Sequence, residues 1–169
     1  MSVPHEQRCC ALQAMFQFDL GGTVDLATDL AHVRESFEGR AREARSVDPI
    51  ESECDFTLPA VAGGIALAEK AWSTREEADR SIEELAPEWP PHRQPNVDRN
   101  ILRLGFWEIR HGSVPPAVAI NEAVELAKAY STEKSAAFVN GVLDRIAHPV
   151  VEATVGSVAP EPAAAVIDD

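Results

Sequence analysis

Residues 116–146, PAVAINEAVELAKAYSTEKSAAFVNGVLDRI, carry more information about the fold than the rest of the chain together. Between Ala119 and Tyr130, apolar residues recur on one arc of a 3.6-residue helix and the charged residues fall on the other arc. A second apolar stripe follows, formed by Phe138, Val139, Val142, Leu143 and Ile146. The proline pair at 115 and 116 suits the first turn of a helix, so the stretch predicts two consecutive amphipathic helices.

Ser135 and Gly141, both in the second helix, lead to two specific predictions. Ser135 is a reasonable N-cap, because a serine hydroxyl can accept a hydrogen bond from the first turn of a helix. Gly141 falls in the middle of the helix, where glycine costs roughly 1 kcal/mol relative to alanine. We expect a close helix crossing at Gly141, since close packing would explain a glycine there.

The sequence pattern also predicts helix in nearly every other segment. Apolar stripes, capping residues and Gly or Pro stops divide the chain, and no strand alternation or internal repeat interrupts the pattern. The run 87–95, PEWPPHRQP, predicts a rigid Pro-rich loop. We therefore predict an all-α fold of about seven helices, in which a single domain, 1–148, consists of two packed helical-bundle halves, about 1–86 and 96–148.

The net charge of −13 is unevenly distributed. Residues 19–95 hold 17 acidic and 8 basic side chains, whereas residues 96–148 hold six of each. Residues 149–169 add four acidic side chains, no basic one and no apolar period, which predicts a disordered acidic tail. Because bulk negative charge repels nucleic acid, any RNA site must be a local patch outside the acidic middle.

Cysteine usage and hydropathy indicate a cytoplasmic protein. Cys9, Cys10 and Cys54 are an odd count with an adjacent pair, which is not a disulfide framework. No stretch approaches 18 apolar residues, and the start, MSVPHEQR, lacks the features of a signal peptide. We therefore expect a reduced protein without membrane contact.

Polar residues in the predicted helices form no catalytic or metal-binding pattern, so we expect no enzyme activity, cofactor or metal. Arg99, Arg103 and Arg110 lie within about 40° of one another on the fifth helix. They either pair with nearby acids or contact phosphate or an acidic partner. Asn121 and Asn140 either fix helix packing or offer their amides to a base edge.

Four segments together resemble a known family. They are RCCALQAMFQFDL (8–20), NVDRNILR (96–103), VAINEAVELAK (118–128) and FVNGVLDRI (138–146). The chain is similar to the NusB family of bacterial transcription antitermination factors. The resemblance implies an all-α protein that is not an enzyme. It also implies pairing with NusE, a small-subunit ribosomal protein, and binding to the boxA RNA of nascent rRNA transcripts, which helps RNA polymerase resist termination.

The resemblance also implies site residues. Arg8, Lys134 and Phe138 match positions that face RNA, and Phe16 and Asp98 match positions near the NusE contact. An aromatic ring beside a cation suits a single-stranded base, although Phe138 also fits the core.

Some residues depart from the family pattern. The segment MSVPHEQR carries one arginine where family members commonly have several, and Ala137 replaces a usual basic residue. Lys134 replaces a usual aspartate, which partly compensates at the expected phosphate path. Two alternatives stay open: an RNA-docking module like those fused to some rRNA cytosine methyltransferases, or a structural helical homodimer without RNA binding. No G-x-G pattern of a Rossmann-like catalytic domain is present, so we expect the stand-alone factor.

Overall fold

The computed structural model describes residues 3–21, 25–43 and 56–150. This part of the chain folds into seven α-helices and one short 3-10 helix, and it contains no strand. In chain order the elements are α1 (His5–Gly21), α2 (Leu26–Glu43), α3 (Leu58–Ser73), α4 (Arg75–Leu85), the 3-10 helix (Pro91–Arg93), α5 (Asn96–Arg110), α6 (Pro116–Tyr130) and α7 (Glu133–Ala147). The predicted all-α class with about seven helices is confirmed.

The first three helices pack around an apolar core. α1 is buried along much of its length, because its small and apolar residues pack against α3. A glycine of α3 permits this close approach, since a Cβ added at Gly64 would lie 2.5 Å from the Cβ of Cys10. Near the other end of α1, the rings of Phe18 and Trp72 meet edge to face with centroids 5.6 Å apart.

The last three helices form a second packed group. α5 and α7 approach closely at Gly105, where an added Cβ would lie 2.6 Å from Cδ1 of Leu143. A Cβ added at Gly141 would have no neighbouring atom within 4 Å. The expected close crossing at Gly141 is therefore wrong, because the face of α7 that carries Gly141 is exposed and the crossing with α5 uses the opposite face.

α5 links the two groups. α1, α3, α4, α6 and α7 all pack against α5, and the buried apolar residues of the described helices form one continuous cluster. The α5 residues at most 1% exposed include Ile101, Leu102, Leu104 and Phe106. The segment 87–95 forms a turn and the 3-10 helix between α4 and α5. The division into halves, about 1–86 and 96–148, stays a prediction.

The turn between α6 and α7 differs from its predicted capping. Thr132 is the N-cap of α7, and its hydroxyl accepts a hydrogen bond of 3.1 Å from the N–H of Ser135. The prediction of Ser135 as N-cap is therefore wrong. Ser135 lies in the first turn of α7, and its own hydroxyl contacts α5.

Some predictions lie outside the described residues. They include the third cysteine, Cys54, and the predicted disorder of the tail beyond residue 150. Of the helices that the structure describes, none is both long and apolar enough to span a bilayer.

Candidate functional site

The beginning of α7 presents two residues that were predicted to contact RNA. Lys134 is exposed, and Phe138 follows one helical turn later and is half-buried. Part of the Phe138 side chain packs against the apolar core, and the rest lies at the surface. An aromatic face beside an ammonium group suits a stacked base next to its phosphate. The structure therefore places these two predicted site residues one turn apart on the surface of α7.

Arg8 does not lie on that surface, because its side chain is only 1% exposed. Its Nε donates hydrogen bonds of 3.0 and 3.1 Å to the two carboxylate oxygens of Glu108 on α5. Its Nη2 lies 2.8 Å from Oε1 of Glu108, and its Nη1 donates to the carbonyl of Val3. The expected surface position of Arg8 is therefore wrong, since α5 supplies a buried counter-ion for this guanidinium group.

Glu108 is the centre of this buried charge cluster. Burial raises the pKa of Glu108, and the hydrogen bonds and positive charge of Arg8 oppose that rise. Glu122 on α6 extends the cluster, because its Oε2 lies 3.8 Å from Nη1 of Arg8 and 2.6 Å from Nδ1 of His5. The cluster fixes the beginning of α1 against α5 and α6.

Asp98, which was predicted to lie near a protein partner, is 4% exposed. Its Oδ2 accepts a hydrogen bond of 2.7 Å from the hydroxyl of Ser135. The same hydroxyl accepts hydrogen bonds of 3.0 Å from Ser131 and from Thr132. Among the described residues, the buried Oδ1 of Asp98 has no hydrogen-bond partner. Burial does not favour direct partner contact by Asp98, and the carboxylate instead ties the first turn of α5 to that of α7.

Phe16 lies at the boundary between the interior and the surface of α1. It is half-buried, whereas the preceding Met15 is fully buried and the following Gln17 is exposed. Part of its ring is thus open to a partner. Its role as a NusE contact stays a prediction.

Two of the three α5 arginines belong to an internal ion-pair network. Arg99 Nε donates to Asp19 at 3.0 Å, and Arg103 donates to both oxygens of Asp79, at 2.8 and 2.6 Å. Burial by itself would lower the pKa of Arg103, but Asp79 and Asp19 hold that pKa above its ordinary value. Arg110, in contrast, is exposed. Of the two interpretations, pairing with nearby acids therefore holds for Arg99 and Arg103.

Other polar residues divide between surface and core. Asn121 and Asn140 are both exposed, which argues against a packing role for either residue. Cys9 and Cys10 are buried, and burial raises the pKa of the Cys10 thiol to about 12, so that it behaves as a small neutral side chain. Within the described ranges, no group of three or more His, Cys, Asp and Glu side chains could hold a metal ion.

Solved structures define the class to which this fold belongs. NusB of T. maritima is 30% identical to the chain and superposes with a TM-score of 0.63, covering 87% of this chain and 92% of that one. A crystal structure of the antitermination factors NusB and NusE in complex with dsRNA contains a chain that is 27% identical, with a TM-score of 0.63. That match covers 85% of this chain and 94% of the other. The chain is thus a NusB-like helical protein.

Sequence comparison assigns the family. The family model of NusB matches residues 5–148. The transcription antitermination protein NusB of Symbiobacterium thermophilum is 42% identical over 138 residues, which are 80% of this chain and 83% of that protein. The protein of the same name from Myxococcus xanthus is 38% identical, with coverages of 81% and 89%. The chain belongs to the NusB family, whose members are named as transcription antitermination factors and not as enzymes.

Proposed function

We propose that this chain is a transcription antitermination factor that pairs with NusE and binds the boxA element of nascent rRNA transcripts. In this proposal it acts in the cytoplasm as part of the RNA polymerase antitermination complex. Family membership supports antitermination, and the related structure of NusB and NusE in complex with dsRNA supports both kinds of partner. The observation that carries the RNA part is that exposed Lys134 and partly exposed Phe138 lie one helical turn apart on α7.

Charge distribution favours the beginning of α7 as the RNA site. The segment 19–95 carries a large excess of acidic residues, which would repel phosphates. The segment 96–148 is balanced in charge, so a single exposed cation such as Lys134 can create a local positive patch. Because Arg8 is buried in an ion pair, it contributes no phosphate contact in this proposal.

Asp98 has a supporting role in the proposed site. Its hydrogen bond to Ser135 fixes the first turn of α7 against α5, and Lys134 is the adjacent residue in that turn. Hydrogen bonds to an ionised group are stronger than those between neutral groups. Asp98 therefore positions the RNA-contacting turn, while Phe16 on α1 remains the proposed NusE contact.

The charge of Lys134 can be tested by titrating a boxA RNA oligonucleotide with and without NusE. Lys134→Asp should weaken binding in the presence of NusE and reduce the salt dependence of the logarithm of affinity by roughly one unit, because one phosphate contact is lost. Lys128→Asp is the matched control. Lys128 is also exposed but lies on α6, with its Nζ 3.2 Å from Oε1 of Glu125, so its replacement should change affinity little.

The ring of Phe138 can be tested separately from its packing. Phe138→Ala should cost about 1–3 kcal/mol of RNA binding if the ring stacks on a base, with little change in salt dependence. Phe138→Leu retains apolar volume and should lose most of the same RNA affinity while unfolding like the parent. RNA affinity equal to that of the parent in both Lys134→Asp and Phe138→Leu would contradict the proposed site. Self-association without any RNA binding would instead indicate the structural homodimer.

A further inference from the structure

Four residues of α7 form a stripe that extends well beyond the first turn. Lys134, Phe138, Gly141 and Arg145 lie within about 60° of one another at 100° per residue. From Lys134 to Arg145 the stripe is about 16 Å long, at a rise of 1.5 Å per residue. Three of the four residues are exposed, and Phe138 is half-buried. We call these four residues the α7 stripe.

Gly141 has no packing reason to be glycine in the described part of the chain. Glycine destabilises the middle of a helix relative to alanine. At Gly105 the neighbouring Leu143 side chain leaves no room for a Cβ, but a Cβ at Gly141 would meet no atom within 4 Å. The missing side chain at Gly141 thus leaves helix backbone open to solvent, where a ligand can approach closely.

Arg145 places a second cation at the far end of the stripe. Its Nη1 donates a hydrogen bond of 2.8 Å to the carbonyl of Leu85 at the end of α4. A guanidinium group carries five N–H donors, so this bond orients the group without using up its capacity for a phosphate. The acids Glu133 and Asp144 lie about 80–100° around the helix axis from Lys134. The stripe itself therefore holds two cations and no anion.

We propose that the α7 stripe binds a continuous segment of single-stranded RNA. A base stacks on Phe138, the sugar and base of the next nucleotide pack against the helix backbone at Gly141, and phosphates contact Lys134 and Arg145. Stacking and backbone contacts of this kind need an aromatic face, a flat surface and flanking cations. This inference rests on the proposed RNA-binding function and adds Gly141 and Arg145 to its site.

The sharpest test is a substitution that improves folding and impairs binding. Gly141→Ala should raise the melting temperature by about 2–4 °C, because alanine favours the helix and meets no neighbour. The same variant should lose roughly fivefold or more of its affinity for boxA RNA in the presence of NusE, and Gly141→Leu should lose more. Gly39→Ala is the matched control, since a Cβ added at Gly39 in α2 would also meet no atom within 4 Å in the described part of the chain. It should raise the melting temperature similarly and leave RNA affinity unchanged.

The contribution of Arg145 to RNA binding is tested in parallel. Arg145→Gln should weaken RNA binding and reduce its salt dependence by roughly one unit, whereas Lys128→Gln on α6 should change neither.

The outcomes separate this inference from the proposed function. If Gly141→Ala and Arg145→Gln bind RNA like the parent while Lys134→Asp and Phe138→Leu do not, the extended stripe is wrong and the RNA function stands. If the parent chain with NusE binds no RNA, both fail. Loss of NusE affinity in Gly141→Ala, with unchanged intrinsic RNA affinity, would make this face a protein interface and overturn the inference.

Discussion

Replacing Arg8 by methionine should destabilise the fold mainly through Glu108. Methionine can occupy much of the apolar volume of the arginine stem, but it carries no charge. Glu108, which is 1% exposed, then retains a buried carboxylate without its counter-ion, and Glu122 adds a second negative charge nearby. Removal of one partner from a buried ion pair costs about 3–5 kcal/mol. For a chain of this size, that corresponds to a melting temperature lower by roughly 6–20 °C.

This destabilisation should depend on pH. Burial already raises the pKa of Glu108. Loss of Arg8 removes the hydrogen bonds and the positive charge that lower this pKa. A carboxyl group whose folded pKa exceeds its unfolded pKa binds protons more readily in the folded chain. The folded state therefore gains stability as pH falls below the raised pKa and loses it as pH rises through that value. The difference between Arg8→Met and the parent should be largest near neutral pH and smaller at about pH 5.

The assay is urea unfolding of the parent and three variants at about pH 7.5 and about pH 5. Arg8→Met/Glu108→Leu should recover most of the lost stability, because replacing both members of a buried pair by apolar residues is often neutral. Arg110→Met, at an exposed arginine on α5, should change stability by less than about 0.5 kcal/mol. Equal destabilisation of Arg8→Met at the two pH values, or a double variant no more stable than the single one, would refute this reasoning.

Two further predictions concern the proposed contacts. Phe16→Ala should reduce NusE affinity by about 2 kcal/mol or more in calorimetric titration if the ring anchors the partner, whereas a loss of about 3–5 kcal/mol in unfolding with unchanged NusE binding would place Phe16 in the core. Ser135→Ala should lower unfolding stability by about 1.5–3 kcal/mol, because it removes the hydroxyl that donates to buried Asp98. Ser135→Thr should retain most of that stability, and equal unfolding of Ser135→Ala and the parent would exclude a structural role for this bond.

Helix content could be predicted from the sequence because it depends on local periodicity. The apolar arcs of α6 and α7, the proline pair at the start of α6 and the Pro-rich loop after α4 each involve residues a few positions apart, and these predictions agree with the structure. The family resemblance rested on similarly short segments, and sequence comparison confirmed it over residues 5–148. The neighbouring positions of Lys134 and Phe138 followed from the same helical geometry.

Local sequence patterns gave less information about which polar residues are buried and with which residues they pair. Glu108 falls between Ile101 and Leu104 on the apolar side of α5, so a buried acid could have been noticed there. Its partner could not have been identified, because Arg8 lies 100 residues away in sequence. Arg99 and Asp19 are similarly separated by 80 residues.

The set of helices, their apolar faces and the family of the chain could all be inferred from the amino-acid sequence. Which charged residues are buried and which face solvent depends on how the helices pack. Arg8 and Arg103 lie against acids from other helices, whereas Lys134 remains exposed. The same holds for glycine, since Gly105 faces Leu143 and Gly141 faces open space. The physical reason is that helix formation depends on neighbours within a few positions of the chain, whereas burial and ion pairing depend on neighbours that folding brings into contact.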